Sequence, residues 1–326
     1  MAFRQAPILF VALTIGSLAG CGGDEATDTA GVSDTTLAVE TTAAAAATPA
    51  DIAAETPATV DTAATAATAG GEVPHAIVSL SAAATEILYA IGAGGQVVAT
   101  DLASNYPPEA EATEKLDGFN PSVEAIAATS PDLVIVFFDP GGVIDALEAL
   151  DIPVLDQPAP PDLPGVYTQI GELGAATGHP EEAAQLVELM SDEIAGIVDP
   201  TPPRPEPASY YHELDPSFFS VTSNTFLGSV YGLLPLENIA DAANAGDYPQ
   251  LSQEFIVSAD PDLIFLADVK CCAQTAAAVA ARPGWETMTA VSEGRVIELD
   301  DDVASRPGPR IPQLLAQAAA AVELVP

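Results

Sequence analysis

The most reactive side chains in this sequence belong to two adjacent cysteines, Cys271 and Cys272. Neighbouring Cα atoms lie about 3.8 Å apart, below the roughly 4.4–6.8 Å that disulfides usually span. Three interpretations are open: a vicinal disulfide that stiffens its loop, buried free thiols, or a contact to a metal or a ligand. One such pair is no disulfide framework, so the fold must depend on a hydrophobic core.

Residues that could carry catalysis are few. His212 and Glu213 could do acid–base chemistry, but neighbours on a strand point to opposite faces. The sequence has no nucleophile elbow, phosphate loop or metal-hydrolase motif. A zinc or manganese site would need several histidines with carboxylates, and of the three histidines only His212 is well placed. We therefore predict no catalytic residues, no resident metal and no cofactor.

The charge of the chain restricts its partners. There are 47 acidic and 8 basic side chains, for a net charge of -39. Nucleic acid is excluded because a phosphate backbone needs a basic face, and adsorption to anionic headgroups is excluded for the same reason. The acids are spread along the whole chain, which is typical of a highly soluble protein. A strongly anionic ligand would find few cations here.

Apolar runs and helical patterns alternate from residue 75 onwards. Strands are predicted at 76–80, 96–100, 133–138 and 153–155, and again at 209–214, 263–267 and 296–299. Helical patterns lie between them, which predicts parallel sheets with helices on both faces. A long helical stretch at 166–199, interrupted at Gly178, separates the two halves and ends at a proline-rich segment.

One helix–loop–strand unit occurs twice. Ser122-Val123-Glu124-Ala125-Ile126 leads to Pro131-Asp132-Leu133, and Ser252-Gln253-Glu254-Phe255-Ile256 leads to Pro261-Asp262-Leu263. The offset between the two units is 130 residues throughout. This repeat predicts two similar α/β lobes joined by the helical stretch.

Ligands of open α/β sheets bind beyond the carboxyl ends of the strands. Aromatic residues recur in the loops at these positions, and their faces suit large flat or apolar ligands. They are Tyr106, Phe119, Phe137, Phe138, Tyr211, Phe218, Phe219 and Tyr248.

The N-terminus carries a targeting signal. Arg4 precedes an apolar run at 6–15, which is too short to span a bilayer as a stable helix. Leu18-Ala19-Gly20-Cys21 resembles a bacterial lipobox, in which the cysteine is lipidated and becomes the first mature residue. We predict a lipoprotein signal peptide at 1–20, lipidation at Cys21 and a disordered Ala/Thr/Asp-rich tether at 21–74.

Four ordered motifs resemble the iron-chelate and cobalamin class of periplasmic binding proteins. They are the segment from Ile77 to Leu88, the Tyr106-Pro107-Pro108 turn, the two Pro-Asp-Leu units and Arg306-Pro307-Gly308-Pro309-Arg310. The match covers about residues 75–322. It implies a class III periplasmic binding protein: two Rossmann-like lobes at 75–165 and 200–326, joined by a single long helix at 166–199, with the ligand cleft between them.

The resemblance also implies a function. The chain would be an extracytoplasmic monomer, held at the cell membrane only by its lipid, that captures a metal chelate or corrinoid. It would deliver this ligand to a membrane permease dimer and its ATPase. Glu124 and Glu254 fall where the family places one carboxylate per lobe to meet permease arginines. Alone, either acid would also suit the first turn of a helix.

The ligand remains open between several chelates. Phe119, Phe138 and Tyr248 fall near aromatic positions of cobalamin binders, although Ala103 stands where a tyrosine is expected. Tyr106, His212, Lys270 and Arg306 are further candidate contacts. The scarcity of cations favours a corrinoid, a ferric hydroxamate or haem over a triscatecholate. The alternatives are a haem or free-metal binder, and a ligand sensor without transport.

Overall fold

The computed structural model describes residues 73–326. The predicted signal peptide at 1–20, the lipidation of Cys21 and nearly all of the tether at 21–74 therefore lie outside the described residues. Between residues 73 and 326, every helix is too short or too polar to cross a bilayer.

The first lobe is built on a five-stranded parallel sheet with the order β3-β2-β1-β4-β5. A parallel sheet needs helical crossovers, and these follow three of its strands. The strands are β1 (Ile77–Ser79), β2 (Val97–Asp101), β3 (Glu114–Leu116), β4 (Leu133–Val136) and β5 (Val154–Asp156). The helices are α1 (Ala82–Ala90), α2 (Val123–Ala128) and α3 (Val143–Glu148).

The second lobe repeats this plan with a four-stranded parallel sheet in the order β7-β6-β8-β9. Its strands are β6 (Ala208–Glu213), β7 (Leu236–Asn238), β8 (Leu263–Leu266) and β9 (Val296–Glu298). Its helices are α6 (Phe226–Tyr231), α7 (Gln253–Ala259), α8 (Val269–Cys272), α9 (Ala276–Ala280), α10 (Thr289–Ser292), α11 (Asp301–Ser305) and α12 (Ile311–Val322). The predicted two-lobed α/β fold is confirmed.

Both sheets are buried on both faces, as parallel sheets require. Along β4, Ile135 joins a hydrophobic cluster that also contains Phe265 of β8, whereas Val134 joins a separate cluster of the first lobe. Along β8, Ile264 joins a cluster confined to the second lobe. The two lobes therefore share one hydrophobic core, to which the linking segment and α12 also contribute.

The linking segment is not the single long helix predicted at 166–199. It consists of α4 (Leu163–Thr177) and α5 (Pro180–Val198). Gly178 takes a left-handed conformation (φ 79°) that ends α4, and Pro180 can only begin a new helix. Tyr167 lies beside Ser191, and Gly174 packs against Ala183, so the two helices form an antiparallel hairpin.

The repeated unit keeps its local conformation in both lobes. Ser122 and Ser252 are the N-cap residues of α2 and α7, and each hydroxyl accepts the backbone N–H three residues ahead. Ser130 and Asp260, again 130 residues apart, both take positive φ angles where the helices end. The same sequence signals thus produce the same turn twice.

The aspartates of the two Pro-Asp-Leu units have the same role. The Asp132 carboxylate accepts the backbone N–H groups of His75 and Ala76, just before β1. The Asp262 carboxylate accepts the backbone N–H of Ser209 at the start of β6, at 2.9 Å. Each aspartate therefore fixes the start of the strand beside its own.

Candidate ligand cleft

A cavity of about 360 Å³ lies at the carboxyl ends of the first-lobe strands. This is the position that the general rule for open α/β sheets predicts. The second lobe contributes the segment from Asp302 to Pro307, so both lobes line the cavity. The lining residues are Ser81, Ala82, Ala83, Ala84, Ile87, Asp101, Ala103, Phe119, Phe137, Gln157, Pro158, Ala159, Pro160, Gln169, Asp302, Ser305, Arg306 and Pro307.

The first-lobe wall of the cavity contains apolar side chains together with Ser81, Asp101, Gln157 and Gln169. Phe119 is 65% exposed, and its ring meets Phe137 edge-on with the centroids 5.5 Å apart. The first turn of α1 adds only small alanine side chains, which leaves the floor open. Phe138 is 48% exposed and lies beside Phe137, outside the cavity lining. An aromatic pair with one exposed and one half-buried ring, in a lining that also contains small residues, suits a large apolar face.

The two predicted tyrosines lie away from the cavity lining. Tyr106 is partly exposed, and the Arg310 guanidinium lies over its ring at 4.4 Å from the centroid. Tyr248 is exposed on the loop that precedes α7. Their roles as ligand contacts stay predictions.

His212 is a core residue rather than a cleft residue. Its side chain is fully buried, and its Nδ1 lies 3.1 Å from the Tyr231 hydroxyl. Burial lowers the pKa of His212 to about 3, so the ring is neutral. The strand that carries it points this side chain into the core, which corrects its prediction as a ligand contact.

Arg306 lies in the cavity wall and joins the two lobes. Its Nη1 donates to Glu86 Oε1 at 2.9 Å and to Asn105 Oδ1 at 2.8 Å. Its Nη2 donates to the Ala103 carbonyl at 2.8 Å and to Asp302 Oδ1 at 2.7 Å. The four N–H groups of its terminal nitrogens can thus all be matched to protein acceptors.

Glu86, on α1, is the centre of this cluster. Its side chain is buried and accepts from Arg306 and from Arg310, whose Nε lies 2.7 Å from Glu86 Oε2. Burial alone would lower the pKa of Arg310, but the hydrogen bonds and charge of Glu86 raise it above its ordinary value. Glu86 and Arg310 each lie in one of the motifs that resemble the family, but their pairing was not predicted.

Lys270 lies on the exposed rim of the second lobe. Its ammonium group pairs with Asp300 and, at 2.8 Å, with Asp302. The Asp301 carboxylate accepts the backbone N–H groups of Val269, Lys270 and Cys271, which fixes α8 against α11. Lys270 does not line the cavity, so its predicted contact with a ligand stays a prediction.

Cys271 and Cys272 are joined by a disulfide at the end of α8, with Cα atoms 3.8 Å apart. Cys271 is exposed and Cys272 is half-buried. Of the three interpretations of this cysteine pair, the structure agrees with the vicinal disulfide.

Below α8 lies a buried cluster of charges that the sequence did not reveal. Arg282 donates to both oxygens of Glu213, each at 2.6 Å. Asp268 is buried beside them, and no donor among the described residues reaches its oxygens. Burial, and then the charge of Glu213, raise the pKa of Asp268 to about 7. Burial beside Glu213 therefore favours the neutral, protonated form of Asp268.

Glu124 and Glu254 occupy equivalent, exposed positions in the first turns of α2 and α7. Hydrogen bonds from the backbone and from the Ser122 hydroxyl lower the pKa of Glu124. Both carboxylates are thus accessible from solvent, and their role in docking stays a prediction.

Among residues 73–326, no three His, Cys, Asp or Glu side chains are grouped so that they could hold a metal ion.

Two α/β lobes around a shared cleft define the class of bilobal solute-binding proteins. The family model described as "Periplasmic binding protein" matches residues 77–303, so the chain belongs to this family.

Relatives agree with this assignment. An ABC transporter substrate-binding lipoprotein of Bacillus subtilis is 32% identical over 247 residues, 73% of this chain and 76% of that protein. A cobalamin-binding protein of Halobacterium salinarum is 30% identical over 258 residues, 76% of this chain and 69% of that protein. These relatives are binding proteins rather than enzymes, which confirms the non-enzymatic prediction.

Solved structures share the fold. The periplasmic haem-binding protein of Roseiflexus sp. RS-1 superposes with a TM-score of 0.70 at 25% identity, over 77% of this chain and 99% of that one. The periplasmic vitamin B12-binding protein of Vibrio cholerae gives a TM-score of 0.65 at 24% identity, over 77% and 98%.

Proposed function

We propose that this protein is an extracytoplasmic lipoprotein that captures a corrinoid or another metal chelate and delivers it to an ABC-type importer. The cavity carries this proposal, because it lies at the strand ends and combines the Phe119–Phe137 aromatic pair with an edge from the second lobe. The cobalamin-binding relative supports a corrinoid as the first ligand to test. No resident cofactor takes part in this function.

Calorimetric titration of the purified full chain tests the ligand. The probes are cyanocobalamin, a neutral ferric trihydroxamate and haem, each in separate titrations. We expect saturable one-to-one binding of cyanocobalamin. Binding of only the hydroxamate or only haem would move the proposal to that chelate. Binding of none would refute chelate capture.

Haem is the second candidate, since the Phe119–Phe137 pair presents aromatic edges and faces to a flat macrocycle. The haem-binding structural neighbour supports the same candidate. The titrations above decide between haem and the corrinoid.

We further propose that Glu124 and Glu254 dock the protein on a permease dimer. The two acids lie on equivalent turns of the two lobes, and charge-assisted pairs at two points would fix register and orientation. A permease made of two similar subunits would present a matching pair of cationic groups.

Uptake of labelled ligand by cells whose only copy carries Glu124→Gln and Glu254→Gln tests this docking. We expect uptake to fall at least about tenfold, with ligand affinity unchanged. The matched control is Glu148→Gln with Glu293→Gln, which removes the same charge from exposed positions elsewhere. Normal uptake by the docking variant would show that these glutamates are not the contact.

The lipid anchor at Cys21 is tested by metabolic labelling with a radioactive fatty acid. We expect the wild-type chain to be labelled and Cys21→Ala to be unlabelled and released from the membrane. Equal labelling of both would refute lipidation at this residue.

A further inference from the structure

Every cationic side chain between residues 73 and 326 already has acceptors within the protein. Lys115, Arg204 and Arg295 bind backbone carbonyls, with a hydroxyl also contacted by Lys115. Lys270, Arg282, Arg306 and Arg310 bind carboxylates. The described chain thus has no cation that is held ready for an anionic ligand.

Arg306 is the only basic residue among the cavity-lining residues of the described chain. Glu86 and Asp302 take two of its terminal N–H groups, and neutral oxygens take the other two. The same lining contains two carboxylates, those of Asp101 and Asp302. The wall of the cavity is therefore electrically negative or neutral wherever a ligand could contact it.

From this arrangement we propose that Glu86 determines the charge selectivity of the cleft. Glu86 binds both Arg306 and Arg310, and it thereby neutralises Arg306, the cation in the cavity wall. The site therefore accepts uncharged or cationic chelates and rejects chelates that carry carboxylates. This inference rests on the proposed capture of a metal chelate and adds the chemistry of the ligand periphery: amides rather than carboxylates.

The position of Glu86 makes it suited to this role. Its side chain is buried, so the attraction to two guanidinium groups is weakly screened. It sits on α1, one turn beyond the alanines that line the cavity, whereas both arginines come from the second lobe. A ligand carboxylate could pair with Arg306 only by competing with a carboxylate that is already in place.

Two corrinoids of the same ring system test the proposal. Dicyanocobinamide carries amides on its periphery, and dicyanocobyrinic acid carries carboxylates in their place. We expect the full wild-type chain to bind the amide form at least about tenfold more tightly in calorimetry at 0.15 M salt, where exposed distant charges are screened beyond about 8 Å.

Glu86→Gln keeps the size of the side chain and removes its charge. We expect this variant to narrow the ratio of the two dissociation constants at least about threefold, mainly through tighter binding of the carboxylate form. Asp302→Asn removes the other carboxylate that pairs with Arg306. This variant should narrow the ratio of the two dissociation constants in the same direction. It tests the proposal independently if Glu86→Gln is too unstable to purify. Glu148→Gln on α3 is the control for net charge and should leave the ratio unchanged.

The outcomes separate this inference from the proposed function. Equal binding of both corrinoids by the wild-type chain, or a ratio that neither variant changes, would overturn the role of Glu86 while ligand capture stands. Failure of the wild-type chain to bind either corrinoid would overturn corrinoid capture and this inference with it. A preference for amides that both variants weaken and the control preserves would support the inference.

Discussion

The two lobes are alike on the surface that carries the repeated helices and different at the cleft. On α2 and α7, a serine N-cap, an exposed glutamate and a left-handed turn recur at the same offset. At the cleft, the first lobe presents the aromatic rings of Phe119 and Phe137, whereas the second presents Arg306 and Asp302, which pair with each other. The equivalent turns of α2 and α7 are thus symmetric between the lobes, whereas the two sides of the cleft are not.

The aromatic residues of the first lobe and the charged residues of the second lobe also contribute differently to stability. The Phe119 ring is exposed, so the fold depends little on it and it is available to bind. Arg282 and Glu213 of the second lobe are buried as a pair, so removing one leaves the other without compensation.

Arg282→Met should cost about 3–5 kcal/mol in the free energy of unfolding, because Glu213 would remain buried beside Asp268 without its cation. Chemical denaturation followed by circular dichroism measures this. The control, Lys270→Met, removes a half-exposed cation and should cost at most about 1 kcal/mol. Equal costs for the two variants would mean that the buried pair is not special.

Between pH 5 and pH 8, Asp268→Asn should gain about 2 kcal/mol in the free energy of unfolding relative to wild type. The folded-state pKa of Asp268 is about 7, above that of the unfolded chain, so folding takes up a proton. The contribution of this group is therefore lost as pH rises toward and through 7. An asparagine can donate to Glu213 at any pH.

Denaturation curves of Asp268→Asn and wild type between pH 5 and 8 measure that difference. Asp192→Asn, at an exposed position on α5, is the control and should follow wild type at every pH. If the difference in free energy of unfolding between Asp268→Asn and wild type does not change with pH, the raised pKa of Asp268 is contradicted.

Phe119→Ala should weaken binding of the ligand identified by calorimetry about tenfold and leave stability within about 0.5 kcal/mol of wild type. The ring is 65% exposed and lines the cavity. Phe138→Ala is the matched control, because that ring is exposed but outside the cavity lining. An equal loss of affinity in both variants would enlarge the site beyond the present cavity.

Ser122→Ala and Ser252→Ala should each cost about 1 kcal/mol, because each removes one N-cap hydrogen bond. Denaturation midpoints of the two variants measure whether the repeat is energetically as well as geometrically symmetric. Costs that differ by more than about 1 kcal/mol would break the symmetry.

The sequence predicted most of the fold because its signals were local. Continuous apolar runs marked β1, β4 and β8. The strands β3 and β7 were missed because each has three residues and no apolar run. The run at 133–138 ends as a strand at Val136, and its two phenylalanines belong to the loop at the cleft.

The site was harder to predict because its contacts join residues far apart in the chain. Glu86 and Arg306 are 220 residues apart, and no local pattern signals that they meet. His212 follows the rule for strand ends, but the preceding residue, Tyr211, packs on the opposite face and leaves His212 in the shared core. Phe119 was predicted to lie at the cleft because the resemblance and the strand-end rule agreed, and it does line the cavity. Its contact with a ligand stays a prediction.

The core shared by both lobes has a consequence for the order in which the chain folds. Ile77, at the start of β1, and Leu315, in the last helix, belong to the same hydrophobic cluster. A ribosome releases the first lobe long before α12 exists, and Arg310 must also arrive before the charge of Glu86 is balanced. The shared core and the Glu86–Arg310 pair are therefore completed only once the segment that forms α12 has been synthesised.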